Sequence, residues 1–429
     1  MTLKEAGIIL IDCDHKTPKA QDSGRPYVGI PQLKDCRITL DGARLISEED
    51  FIHWRRKAKP QEHDVILSRR CNPGETGYVT GDLDIALGQN LVLLRADGET
   101  IYPPFLRWLT RGKYWWNQVD SFINVGAVFE SLKCADIPKF EILVPSLEEQ
   151  KLLTACMSSI DDKIALNTQT NQTLEQMAQA IFKSWFVDFD PVQAKMSGEQ
   201  PEGMDATTAS LFPEKLVESE LGLIPEGWEV GTLDSHTSMI IDHRGKTPKK
   251  LGSDWVEEGY PAISAKNIKS KMIVRPDTIR FLDEVTYKKW MKEPLIKGDI
   301  IMTSEAPMGE LYFFDGSRDF CLSQRLYGLR ANSDVCNSVF LFDWLQTTQA
   351  KADMEGRASG STVLGIKQSE LRKVKILTPP KDILDKYSSI VSNLIDMTAK
   401  NNAQNISLEA LRDTLLPKLL SGEIELGKE

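Results

Sequence analysis

The chain has 429 residues, 41% of them hydrophobic, and a formal charge of -10, so it is long and apolar enough to bury a core in more than one domain. Its apolar run at Ile8 to Ile11 is closed at once by Asp12, which argues against a signal peptide or membrane span and leads to a cytoplasmic expectation. Cysteines 13, 36, 71, 134, 156, 321 and 336 form no CxxC pair and five histidines show no metal-ligand spacing, so reduced thiols are expected, with no disulfide framework and no metal site.

Residues 11–20, IDCDHKTPKA, return at 241–250 as IDHRGKTPKK, with six of ten positions identical. The register then settles near an offset of 235: Asp64 to Ser68 (DVILS) matches Asp299 to Thr303 (DIIMT), and Gln89 to Ala96 (QNLVLLRA) matches Gln324 to Ala331 (QRLYGLRA). Trp108 meets Trp344, and ILVP at 142–145 meets ILTP at 376–379. Two homologous halves follow, each of about 190 residues. The first part of each, 1–146 and 227–380, mixes short β-like runs with Gly, Pro, Asn and Asp turns and reads as an α+β domain.

The second part of each half reads as a long helix, at 147–189 and 381–422. Seam positions run from 153 to 185 in alternating steps of four and three, and repeat from 387 to 419 at an ungapped shift of 234, which is a coiled-coil heptad. Both seams carry asparagines at matching places, Asn167 and Asn171 against Asn401 and Asn405. Buried amides penalise a slipped register, because a displaced partner leaves them unpaired. An antiparallel pair sets Asn167 against Asn405 and Asn171 against Asn401. A parallel pair also matches them, so direction rests on the chain, which an antiparallel pair closes with a pseudo-twofold. The competing reading is a solvated asparagine patch on a kinked helix. Ser146-Leu147-Glu148-Glu149 is a capping box for the first helix, Pro417 is expected to distort the last turn of the second, and Gly422 to stop it. About forty residues at ~1.5 Å each make a rod of roughly 60 Å.

The acidic charge is concentrated. Ten acids stand against two lysines between Asp188 and Glu229, and the tail 423–429 holds three acids and one lysine. Proline-rich and acidic, 190–226 reads as a linker. By contrast, His15 to Arg70 holds twelve Lys and Arg against eight acids, and Lys246 to Glu305 twelve against nine, leaving two net-positive faces on a neutral body. No catalytic site emerges. Gly245-Lys246-Thr247 lacks the earlier glycine of a phosphate loop, since residue 240 is Ile, and neither GxGxxG after a strand nor an amino-methylation [DN]PP[FYW] motif is present.

This order of parts, with IPEGW at 224–228, GKTPK at 245–249, SLEEQKLL at 146–153, AIFKSWFVDFDP at 180–191 and LPKLLSGEIEL at 416–426, resembles the specificity subunits of type I restriction-modification systems. The resemblance implies an α+β chain with a pseudo-twofold internal repeat: two similar α/β target-recognition domains separated by two long antiparallel coiled-coil helices. It further implies a non-catalytic subunit that reads an asymmetric, split double-stranded DNA target. Two methyltransferase subunits would bring S-adenosylmethionine, and restriction subunits ATP and Mg²⁺, with no cofactor held here. The first half departs from the pattern: it opens at MTLKEAG, Thr2-Leu3 aligning with Thr232-Leu233, so either its edge is shorter or the start lies upstream. A protein-binding coiled-coil scaffold without DNA specificity is the alternative.

DNA reading needs cations for phosphates and forked or amide groups for base edges. Candidates for phosphate contact are Lys16, Lys19, Lys246, Lys249, Lys250, Lys266 and Lys269, against the alternative of a solvated lysine face. Arg69 and Arg70, in a loop that differs between the halves (SRRCNPG against TSEAPMG), are candidate base readers of the first domain, against the alternative of a core-supporting turn. Glu305 fits either role. Trp115-Trp116 suit core packing better than base stacking.

Overall fold

Each half folds its matched strands into the same sheets. In the first, Ile8–Asp12, Leu91–Ala96, Val65–Ser68 and Thr76–Tyr78 lie side by side in that order, all antiparallel. A smaller sheet sets Arg25–Val28 antiparallel to Arg44–Ile46 and parallel to Ala86–Leu87, beside a hairpin of Leu33–Lys34 and Arg37–Ile38. The second half repeats the plan strand for strand: Thr237–Asp242, Leu326–Ala331, Ile300–Thr303 and Leu311–Phe313 form the larger sheet. Its smaller sheet is Arg280–Leu282, Tyr260–Ile263 and Cys321–Leu322, with the hairpin Ile268–Lys269 and Met272–Ile273. The computed structural model describes residues 1–125, 130–360 and 363–424, in two compact units: Met1–Asn167 with the chain from Ala403 onward, and Thr168–Asn402. Part of the acidic tail, 425–429, lies outside the described residues.

The central strands are apolar at successive positions because both their faces are covered. Val65, Leu67, Val92 and Leu94 join the cluster that holds the long helices, whereas Ile66, Leu91 and Leu93 face the cluster of the smaller sheet. Ile300 and Met302 against Ile301 divide the same way in the second unit. Each central sheet is pinned at its rim by a buried carboxylate: Asp64 takes a two-pronged bond from Arg95 at 2.8 and 2.7 Å, and Asp299 from Arg330 at 2.9 and 2.8 Å.

The two long helices are Leu147–Phe186 and Lys381–Leu420, 40 residues each. Ser146 and Glu149 form the capping box, the Ser146 amide donating to the Glu149 carboxylate at 2.8 Å. In the first unit, Leu153 and Met157 share a core with Leu416, Leu419 and Leu420, and with Phe105, Trp108, Trp115 and Phe140 of the domain. In the second, Phe182, Trp185 and Phe186 share one with Tyr387, Val391, Phe340 and Trp344. Early residues of one helix thus pair with late residues of the other, and the pairing is antiparallel.

Near mid-helix, Asn167 Nδ2 donates to Asn405 Oδ1 and Gln404 Oε1, both at 2.8 Å. Asn401 Nδ2 donates to Asn171 Oδ1, and Asn171 Nδ2 to Asn402 Oδ1, again at 2.8 Å. Asn167 is buried, while the other three seam asparagines are half-buried. The amides pair across the helices, and neither helix is interrupted there.

Three expectations need correction or sharpening. The acidic stretch 190–226 is folded: it holds helices Asp190–Met196 and Ala206–Ser210 and a hairpin of Leu216–Ser219 with Gly222–Pro225. Val192, Phe212 and Ile224 enter the core of the second unit, so a few apolar side chains anchor a segment whose average composition is that of a linker. Pro191 starts a helix, where its missing N–H is no loss. The second helix also runs through Pro417 to Leu420. At the N-terminus, Glu229–Thr232 pairs with Lys375–Thr378 over four residues, and the corresponding contact in the first half is the bridge Thr2 to Glu141.

Two predictions follow from this packing. Asn167→Ala removes two cross-helix bonds, to Asn405 and Gln404, and at about 0.5–1.5 kcal/mol each should lower unfolding stability by about 1–3 kcal/mol in urea titrations. Asp343 accepts a 2.5 Å bond from the Tyr387 hydroxyl, and burial pushes its carboxyl up to about 6. An unfolded aspartate titrates near pH ~4, so the native state holds the extra proton between about pH 4 and 6 and stability falls as pH rises through that window. Asp343→Asn should flatten this fall and gain on the wild type at pH 8, read from urea midpoints at pH 4 and pH 8.

Candidate nucleic-acid interface

Strand register brings three loops to one end of each larger sheet. Asp12 lies opposite Val92 and Ser68 opposite Leu91, so the segments after Asp12, after Ser68 and before Leu91 emerge together. In the second unit Asp242 is opposite Tyr327 and Thr303 opposite Leu326, which gathers the corresponding segments. Backbone bonds tie the loops identically in both. The Arg69 amide donates to the Asn90 carbonyl at 2.9 Å and the Leu132 amide to the Arg69 carbonyl at 2.9 Å. The Ser304 amide donates to Arg325 at 2.8 Å, and Ile366 to Ser304 at 3.0 Å.

On this shared frame the side chains differ. In the first unit Arg69 is only 12% exposed, its Nη2 4.0 Å from Asp12 Oδ1, while Asp12 Oδ2 lies 3.1 Å from His15 Nε2. Arg69 therefore turns inward, and Arg70, next to it, is exposed. Lys16 and Lys19 are exposed, and the Lys16 carbonyl holds its loop by accepting from Tyr27 Oη at 3.2 Å and Trp54 Nε1 at 3.0 Å. Trp115 is buried and donates to the Gly74 carbonyl at 3.0 Å.

In the second unit Asp242 holds Arg244 through Nε at 2.9 Å and Nη2 at 2.8 Å, and the guanidinium lies 4.3 Å over the ring of Tyr327. Burial works against ionisation of Asp242, but the bonds from Arg244 hold its carboxyl below the ordinary range. Glu305 Oε1 is 3.0 Å from Arg325 Nε. Lys249 and Lys250 are exposed on a short turn, with Lys250 Nζ donating to the Gly245 carbonyl at 2.6 Å. Lys266 is exposed on a turn whose Ala265 amide donates to the Gln324 carbonyl at 3.4 Å, next to Arg325. Lys269 is exposed on a hairpin tied to the 309–310 loop, Ser270 donating to Glu310 at 2.8 Å. Lys246 is unlike the rest: its Nζ donates inward to the Trp290 carbonyl at 2.7 Å, and burial lowers its pKa.

Arg244 and Arg325 are absent from the candidates drawn from sequence. The signal for them is the internal repeat itself, which aligns Asp14 with Arg244 and Asn90 with Arg325, changes of charge inside otherwise matched stretches. Among the described residues, Asp12, Cys13 and His15 bring three potential metal-binding atoms within 4.8 Å of one another. Burial pushes the Cys13 thiol up to about 11, and it donates to the Gly88 carbonyl at 3.2 Å, which favours a neutral thiol over the thiolate a metal takes. No disulfide joins the seven cysteines, and no described helix is long and apolar enough to cross a membrane.

A family model described as Type I restriction modification DNA specificity domain matches residues 10–176 and again 225–410. The chain belongs to this family. Among specificity subunits it is similar to the Type I restriction enzyme HindI specificity subunit of Haemophilus influenzae, 26% identical over 424 residues that cover 88% of this chain and 90% of that protein. It is also similar to the putative type I restriction enzyme MjaX specificity subunit of Methanocaldococcus jannaschii, 24% identical over 415 residues, 94% of this chain and 88% of that one. In fold it matches the crystal structure of a type I restriction-modification S subunit from M. genitalium, with a TM-score of 0.55 at 14% identity over 100% of this chain and 96% of that chain.

A lysine that contacts a DNA phosphate contributes about 0.9 to the slope of log affinity against log salt. Replacing Lys249 and Lys269 by alanine should reduce that slope by roughly 2. Lys246→Ala should instead lower thermal stability and leave the slope unchanged.

Proposed function

We propose that this specificity subunit is the non-catalytic, sequence-reading part of a type I restriction-modification complex, and that each recognition domain reads one half of a split, asymmetric DNA target. The observation that carries this is one backbone frame displaying two different sets of side chains: Arg70 and Asn90 in the first domain stand where Glu305 and Arg325 stand in the second. A frame held by main-chain bonds fixes where a side chain is presented, and the side chain then sets which base edge it fits. Two unlike sets on like frames read two unlike half-sites.

In this reading the partners are double-stranded DNA, two methyltransferase subunits docked on the paired helices, and restriction subunits. S-adenosylmethionine belongs to the first kind of protein partner and ATP with Mg²⁺ to the second. The complex acts in the cytoplasm.

Exchange of residues 1–146 for the corresponding domain of another specificity subunit, followed by long-read methylation mapping, should change one half-site and leave the other. A change in both would defeat the modular reading. Reconstituted with methyltransferase subunits, the wild type should bind duplex DNA with a steep salt dependence. Absent or salt-insensitive binding would favour a protein-binding coiled-coil scaffold.

A further inference from the structure

We infer that Arg244 and Arg325 are the specificity-determining residues of the second recognition domain, each reading the O6 and N7 edge of a guanine in its half-site. The inference rests on the DNA-reading function proposed above and adds to it the residues and the base they take.

Three observations point the same way. First, both guanidiniums are oriented before any ligand arrives. Asp242 grips Arg244 along the Nε–Nη2 side while Tyr327 supports its face, and Glu305 sits against Nε of Arg325. Arginine carries five N–H donors in a rigid fork, so a carboxylate on the Nε side leaves the outer Nη1–Nη2 edge for a second acceptor pair. That edge matches the paired acceptors guanine shows in the major groove. Among the described residues, Nη1 of Arg244 and both Nη atoms of Arg325 make no hydrogen bond within the protein.

Second, Arg325 is held in a backbone conformation that arginine rarely takes. Its φ is +66°, and its counterpart Asn90 has +71°. Asparagine visits this left-handed region easily, whereas a long side chain does so only where its surroundings hold it there, a state concentrated at binding sites. Nothing in the fold demands arginine here, since the first domain makes the same turn with asparagine. The side chain of Arg325 is also 52% exposed, so it is not a packing element.

Third, the two arginines are flanked by the exposed lysines Lys249, Lys250 and Lys266, on the turns that follow Arg244 and adjoin Gln324. Cations that suit phosphates surround forks that suit base edges, which is the division of labour a duplex requires.

The first domain lacks both forks, with Asp14 and Asn90 in their places. These two guanine contacts therefore belong to the half-site read by the second domain. The test is Arg325→Asn, which installs the residue that already makes this turn in the first domain, together with Arg244→Gln, both in the full chain assembled with methyltransferase subunits. Methylation mapping should show each variant relaxed at one G·C pair of the half-site read by the second domain, with the other half-site intact. Affinity for the cognate duplex should fall ~5- to 150-fold for each, the range of one lost bidentate base contact, with the salt slope and non-specific affinity unchanged. Glu305→Gln, which weakens the ion pair on the Nε side of Arg325, should give a smaller loss at the same position as Arg325→Asn. An unchanged mapped motif, an equal loss on all duplexes with a shallower salt slope, or a half-site without G·C pairs would overturn the assignment while leaving the DNA-reading function standing. A wild-type complex that neither methylates nor binds DNA in a salt-dependent way would defeat that function and this assignment with it.

Discussion

Neither recognition domain closes its own core. Trp185 and Phe186, from the end of the first long helix, pack among residues of the second domain, and Leu416, Leu419 and Leu420, from the end of the second helix, pack among residues of the first. Each large side chain buried this way contributes ~1.5–3 kcal/mol relative to leaving it in water. The antiparallel pairing of the helices therefore completes the core of each domain, and the domains are built onto it.

The polar groups on this pairing do different things. The asparagine layer is nearly symmetric, since each half supplies one amide pair in the same place, and it discriminates against slipped registers more than against wrong partners. Asp161 is not symmetric. Almost fully buried, it accepts from Arg412 at 2.9 Å and Arg107 at 2.6 Å, with Arg111 at 3.5 Å. In the second unit the position aligned with Arg107 is Asp343, bonded to Tyr387, which aligns with Leu153. A buried carboxylate with arginine partners is tolerated only as a set, because removing one member leaves charge uncompensated. The halves share a fold but not the chemistry that docks it to the helices.

Much of this was legible in the sequence. The repeat disclosed two like domains, the heptads gave helices within three residues of their observed ends, and the spacing of Asn167, Asn171, Asn401 and Asn405 anticipated the cross-helix bonds now seen. Such features depend on residues close in sequence or on periodicity. The linker reading failed because composition averages over 190–226, whereas Val192, Phe212 and Ile224 act individually. The site was harder for a related reason. Whether a lysine points to solvent or, like Lys246, toward a carbonyl forty-four residues away depends on tertiary geometry, and so does the inward turn of Arg69. Arg244 and Arg325 stand apart only once strand register brings their loops to one end of the sheet.

The main-chain clasp between residues 69 and 90, and its copy between 304 and 325, has a consequence for how such a protein changes over generations. An amide donating to a carbonyl is indifferent to the side chains on either residue, so arginine, serine or asparagine hangs from the same hook. Where these tips read bases as proposed, new preferences can be tried by single codon changes, with the scaffold beneath left as it was.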